Sequence, residues 1–122
     1  MTERVFSAEK IGYAQFVTWS LLTTGDTGSP WELLSAADKT VQIFGDFGAG
    51  ATVTLQGSND PRVLTAPSSA VWFSLTDPQA NAIEKTAAAG EAILENPRWI
   101  RPSVTGGTNP DLTVIISAVR SS

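Results

Sequence analysis

Asp111-Leu112-Thr113-Val114-Ile115-Ile116-Ser117-Ala118 is the stretch that decides the fold. Leu112, Val114, Ile116 and Ala118 share one parity, which is the signature of a strand with one face in a core. The same period of two recurs upstream. Val17, Trp19 and Leu21 alternate with Thr18 and Ser20, Val41 and Ile43 flank Gln42, and Val53 and Leu55 alternate with Thr52, Thr54 and Gln56. Val71, Phe73 and Leu75 are expected to share a core face. Shorter strands are expected at 83–86, 92–95 and 98–104, and Trp-Glu-Leu-Leu at 31–34 reads as a strand or a single helical turn.

Turn chemistry separates these runs. Gly25-Asp26-Thr27-Gly28-Ser29-Pro30, Asp46-Phe47-Gly48-Ala49-Gly50, Gly57-Ser58-Asn59-Asp60-Pro61 and Thr105-Gly106-Gly107-Thr108-Asn109-Pro110 supply positive φ, fixed φ and side chains that bond their own backbone. No helical apolar period lasts ten residues, and the Ala-rich stretch 77–92 reads as a hairpin with a long small-residue loop. Seven to nine strands at this spacing predict an all-β, antiparallel sandwich over residues 16–122. Residues 1–15 lack a period. They read either as a tail packed along its own sandwich or as an extended N-terminal arm ordered against a neighbouring subunit.

The composition excludes much chemistry. The 122 residues contain no Cys and no His, so thiolate nucleophiles, disulfides, Ser-His-Asp triads and imidazole metal sites are absent. Twelve acidic against eight scattered basic residues oppose binding to nucleic acid. No apolar run reaches the length of a membrane span and no signal core follows the N-terminus, so synthesis in the cytoplasm is expected. The acids lie in turns (Asp26, Asp46, Asp60, Asp111) or at strand ends (Asp77, Glu91, Glu95), where Asp is ordinary turn chemistry, and no glycosidase pair stands out. Calcium at Asp26 or Asn59-Asp60 lacks a ligand spacing, and Gly48-Ala49-Gly50 lacks the Lys and helix of a phosphate cradle. The expectation is a protein without cofactor, metal or catalytic residue.

The aromatics are more informative. Trp19 is in phase with the core, whereas Trp72 is out of phase with its neighbours and Trp99 stands beside Ile100. If the second faces of their strands met water, Trp72 and Trp99, flanked by Arg98 and Arg101, would be subunit-interface anchors; cover by loops or the N-terminal arm and a sugar-stacking platform are the other readings. Val5, Phe6, Ile11 and Tyr13 are the apolar contact residues of the arm.

The ordered segments Gly50–Asp60, Val71–Asp77 and Glu95–Pro102 resemble the "GSND … W..L … RYIR" cadence of galactose-binding-like, discoidin-type jelly rolls. Together with Gly25-Asp26-Thr27-Gly28, Ser103–Gly107 and Asp111–Val114, they resemble more narrowly the small capsid cement or decoration proteins of tailed bacteriophages, over about residues 16–119. That resemblance implies a jelly roll of about eight strands on the outside of an icosahedral head. It implies a homodimer, or a trimer, that clamps major capsid protein subunits and catalyses nothing. A carbohydrate-binding module of the virion surface or tail is the alternative. The loops depart from that alternative in lacking a cluster of aromatics with polar sugar-binding residues.

Overall fold

The structure, a computed structural model, describes residues 3–33 and 36–120. Its strands are β1 (Glu3–Arg4), β2 (Ser7–Ile11), β3 (Ala14–Leu22), β4 (Thr27–Gly28), β5 (Trp31–Glu32), β6 (Ala36–Asp46), β7 (Thr52–Ser58), β8 (Phe73–Ser74), β9 (Glu84–Lys85), β10 (Ala89–Ile93), β11 (Trp99–Thr105) and β12 (Asp111–Arg120). One helical turn, α1 (Arg62–Thr65), and a 3-10 turn at Pro67–Ser69 lie between β7 and β8. No helix is long and apolar enough to cross a membrane.

Two sheets enclose the core. Among the described residues the first runs β1-β4-β11-β7-β8, with β5 also on β11 and β9 also on β7; the second runs β10-β6-β12-β3-β2. Consecutive long strands repeatedly change sheet: β3, β6, β10 and β12 belong to one, β4, β7 and β11 to the other. This interleaving, with β12 returning between β3 and β6, is the connectivity of a jelly roll. The periodic residues meet between the sheets as expected, with Val17, Trp19, Val41, Ile43, Val53, Leu55, Leu112, Val114 and Ile116 all at most 2% exposed. Each such side chain contributes roughly 1.5–3 kcal/mol of hydrophobic stabilisation.

Residues 3–15, read from the sequence as tail or arm, are divided between the sheets. β1 pairs in parallel with β4 through Glu3–Thr27 and Arg4–Gly28, and β2 pairs antiparallel with β3 from Ser7–Thr18 to Ile11–Ala14. Phe6, between them, sets its ring edge-on to Trp19, with centroids 5.9 Å apart and planes at 72°.

Several local expectations are corrected. Leu21 does not join Val17 and Trp19 in the core. It is 63% exposed at φ 58°, and Leu22 is buried instead. Leu112 faces Leu22 while Val114 faces Trp19, so β3 carries one extra residue and bulges there. Val71 and Phe73 are 66% and 42% exposed, and of that trio Leu75 alone is in the core. The stretch 77–92 is not one hairpin. A small turn closes by a bridge between Thr76 and Ala82, then β9 joins β7 in one sheet and β10 joins β6 in the other. Of the segment 31–34, Trp31–Glu32 is a strand on β11; position 34 lies outside the described residues.

Candidate interaction surfaces

The outward positions of the first sheet assemble most of the aromatic and basic residues singled out in the sequence. Trp99, Arg101 and Ser103 on β11 lie opposite Ser58, Gln56 and Thr54 on β7, while Ile100, Pro102 and Val104 face the core. The Arg101 guanidinium sits 4.0 Å from the centre of the Trp72 ring, and its Nε donates to Gln56 Oε1 at 2.9 Å. Burial lowers the Arg101 pKa from its ordinary value, and the nearby Glu3 carboxylate opposes that shift. One face of Trp72 is therefore taken by a cation, leaving the indole half-buried.

Trp99 does not reach water. It is 6% exposed, at the end of β11 beside which the segment 59–72 is tied back to Ser58 and Arg98. The residues that suggested the cadence of a known family hold this segment down. Ser58 Oγ donates to the Val71 carbonyl at 2.7 Å and accepts from the Asp60 N–H at 3.1 Å, and Asn59 Oδ1 accepts from the Arg98 N–H at 2.8 Å. Asp60 accepts from the Arg62 guanidinium at 2.7 Å and from the Val71 N–H at 3.0 Å. The Arg62 side chain, then the N–H groups of Arg62 and Val71, hold the Asp60 carboxyl well below the usual carboxylate range. Arg98 lies beside this segment, paired with Glu32 at 2.9 Å and 5.8 Å from the Trp99 ring centre. Cover by loops was one reading of the sequence, but which loop does so depends on where the chain returns and is not written in the strand itself.

The residues from the N-terminal segment fall elsewhere. Val5, Ile11 and Tyr13 are 79%, 60% and 85% exposed along the β2 edge of the second sheet, whereas Phe6 is half-buried against Trp19. The structure thus separates the eight candidates into an exposed apolar edge (Val5, Ile11, Tyr13), an inward anchor (Phe6), and a stacked cluster over the other sheet (Trp72, Arg98, Trp99, Arg101).

The acids hold turns and strand ends together. Asp26, buried, accepts from Arg4 Nε and from the Thr23 N–H, both at 3.0 Å. Asp77 Oδ1 accepts from the N–H groups of Gln79 and Asn81, closing its own turn. Glu91 pairs with Lys85 at 2.6 Å. Burial alone would raise the Glu95 pKa, but hydrogen bonds from the Thr76 hydroxyl and N–H outweigh it and lower the value. Lys39, 3% exposed, donates to Asn96 Oδ1; burial lowers its pKa against the pull of Asp38 and Glu95. Among the described residues no three acidic groups converge in a way that could hold a metal ion.

The sequence reading passed over a further surface. The outward face of the second sheet carries Phe16, Phe44 and Ile115, which are out of phase with the core set and half-buried or exposed. Three shallow depressions border or cross it. The available signal was the apolar residue in the minority phase of each strand, above all Ile115 beside Ile116.

No protein-family model matches the sequence, and no curated protein matches it. Solved structures do match. The SPBc2 prophage-derived protein YomS superposes with a TM-score of 0.62 at 13% identity, over 91% of this chain and 98% of YomS. The PBSX exported protein XepA superposes with a TM-score of 0.60 at 16% identity, over 90% of this chain, which spans 39% of XepA. At these identities the likeness is one of fold.

Proposed function

We propose that this chain is a structural protein of a tailed-phage particle, a cement protein that seats on the outside of the head, bridges neighbouring major capsid protein subunits and performs no reaction. The observation that carries the reading is how the side chains are employed. The carboxylates of Asp26, Asp60, Asp77, Glu91 and Glu95 are committed to turns, ion pairs and strand ends, while large apolar side chains are left at the surface on strand faces and an edge. A protein that works by hiding surface against companions is built this way; interface cores favour aromatic residues and Arg and are depleted in Lys, Glu and Asp. The fold shared with two prophage-derived chains adds a phage setting to the same reading. In that setting the protein is made in the host cytoplasm and used on the virion exterior.

The mechanism is spatial. A rigid sandwich holds its exposed edge, with Val5, Ile11 and Tyr13, at a fixed distance from the Trp72–Arg101 stack, so that both can engage a repeating lattice. Many symmetry-related sites give each weak contact a high effective concentration. The test is to mix the purified chain with expanded, undecorated heads and measure added density by electron microscopy and the heat resistance of the particles. Saturable occupancy with raised particle stability is expected. Bare heads at micromolar protein, or a tryptophan fluorescence response to bacterial polysaccharide in place of binding, would end the cement reading.

A further inference from the structure

We propose that the outward face of the five-stranded sheet is a self-complementary interface that receives the same face of a second copy, with the two-fold axis running along β12. The inference takes the shell reading only as its setting, by assigning the contact between twins.

The first argument is charge. Registered side by side across the sheet are Thr18, Ile115 and Gln42 in one row and Phe16, Ser117 and Thr40 in the next. The centre of the face is therefore uncharged. Its acids stand at the margins: Glu9 on the edge strand, Asp38 beside Val119 at one end of β12, and Asp46 and Asp111, paired with each other, at the other end. Lys10 and Lys39 alternate out of this face, on the opposite side of their strands. The outward positions of the other sheet carry a charge on their central strand, Arg101, with Glu3, Glu32 and Glu84 around it. Depletion of charge at the centre of a patch with acids at its margin is the pattern of an interface core and rim.

The second argument is shape. β12 is the middle strand of the five. A two-fold axis along it reverses the strand order across the contact, laying β3 over β6 and β2 over β10. The rows then match large against small. Phe16 meets Thr40 of the second copy, Thr18 meets Gln42, and Ile115 and Ser117 meet their own counterparts. Glu9 falls opposite Ala92 and Asp38 opposite Ala14, and Asp111, the one carboxylate on the axis, lies at the end of β12 beyond the matched rows. Sheets stacked in this aligned manner cross at about 30°, so the matching is closest at the centre, where the charges are absent.

The third argument is area. Five strands at about 4.8 Å and seven residues, 113–119, at about 3.4 Å define a face of about 24 by 24 Å. The edge strands β2 and β10 are five residues long, so two such faces bury about 1,000 Å² together, just under the range of standard specific interfaces. The contact is therefore a reversible one, formed at the concentrations reached on a crowded shell, with Ile115 and Phe16 as its anchors.

The experiment is sedimentation of the full chain from micromolar concentration to about 1 mM, with its variants. The wild type is expected to show a monomer–dimer equilibrium, and Ile115→Glu, which sets like charges against each other on the axis, to weaken it at least tenfold. Because a half-buried substitution can unfold a sheet, a second arm uses the absence of Cys. Ser117→Cys places one thiol in each copy across stacked sheets about 10 Å apart, too far for a disulfide and within reach of a short bis-maleimide. Cross-linked dimer from Ser117→Cys, and none from Thr54→Cys on the opposite side of the sandwich, is expected. A wild type monomeric throughout, or equal cross-linking of both cysteine variants, would overturn the inference. Dimerisation by this face without binding to heads would refute the shell reading and leave the interface standing.

Discussion

Gly28→Ala tests the packing on which the N-terminal strands depend. Gly28 has no positive φ to explain it; its constraint is close approach. A Cβ at this position would sit 2.5 Å from Pro102 Cδ and 2.5 Å from Trp19 Cδ1 and Nε1. Carbon atoms in good contact are about 3.5–4.0 Å apart, so roughly 1 Å must open against two rings. Neither ring can yield freely. Trp19 is fully buried, its Nε1 donates to the Ser29 carbonyl at 3.0 Å, and Phe6 packs on its edge. Turning the indole away costs about 1–3 kcal/mol for a stranded N–H and about 0.5–1.5 kcal/mol for the aromatic pair. Shifting β4 instead strains its pairing with β1 and β11. Against this, Ala gains roughly 0.4–1 kcal/mol through the unfolded chain. The net expectation is a loss of about 2–3 kcal/mol, or on the order of 10 °C in melting temperature for a domain of this size. Urea unfolding followed by tryptophan fluorescence measures it, with the denaturant slope unchanged. A loss below about 0.5 kcal/mol would show that the Trp19–Pro102–Gly28 contact is not tight and would refute the reasoning.

Other perturbations have equally definite outcomes. Leu21→Gly should be neutral or stabilising by up to about 1 kcal/mol, because the left-handed backbone costs an L-residue about 1–2 kcal/mol and the exposed side chain gives up little burial; destabilisation by more than about 1 kcal/mol in the same assay would contradict the bulge. A double-mutant cycle of Trp72→Ala and Arg101→Ala should yield a coupling of about 0.5–1 kcal/mol, and a coupling of zero would mean that the stack does not form. Asp60 and Glu95 have lowered folded pKa values, so the stability they provide is present above the ordinary carboxylate range and lost as pH falls below about 4. Lys39 adds an alkaline limb of the same sign. Its folded pKa is also lowered, so the unfolded chain binds the proton more tightly and stability rises with pH as it approaches 10.5. Melting curves from pH 2 to 10 check both limbs, and Lys39→Met should flatten the alkaline one.

The long strands were legible because each carries one uninterrupted alternation facing one core. β6, β7 and β12 needed no tertiary information to be read. Leu21 was misread because a bulge is a property of two strands, and nothing in Val17–Leu22 alone announces the extra residue. Val71-Trp72-Phe73-Ser74-Leu75 alternates as a strand does, yet the chain reaches β7 only at Phe73, since Ser58 Oγ holds the Val71 carbonyl outside the ladder. The adjacent pair Trp99 and Ile100 is buried on both sides of β11, Ile100 in the core and Trp99 outside it, so burial there does not follow the alternation. The exposed apolar edge was partly legible, with Val5, Ile11 and Tyr13 at the surface and Phe6 drawn inward by Trp19. The outward face of the second sheet escaped because its residues are unremarkable singly and become a patch only when the register aligns five strands.

That register bears on function in a way single residues do not. A sandwich has two outer faces, and simple solvation predicts polar, charged side chains on both. Here one face follows that expectation, with carboxylates and Arg101 disposed across it. The other keeps its acids, Glu9, Asp38, Asp46 and Asp111, at its margins and fills its centre with Phe16, Ile115, Thr, Ser and Gln. Thr and Ser satisfy a strand's propensity and remain soluble without a long charged side chain to desolvate. A face so composed tolerates water when the chain is alone and costs little to dehydrate when it is covered. Those are the requirements on a surface that must be exposed during synthesis and buried in an assembly, and an exposed sheet with no assembly to join would be expected to carry Lys or Glu at positions such as Thr18 and Gln42.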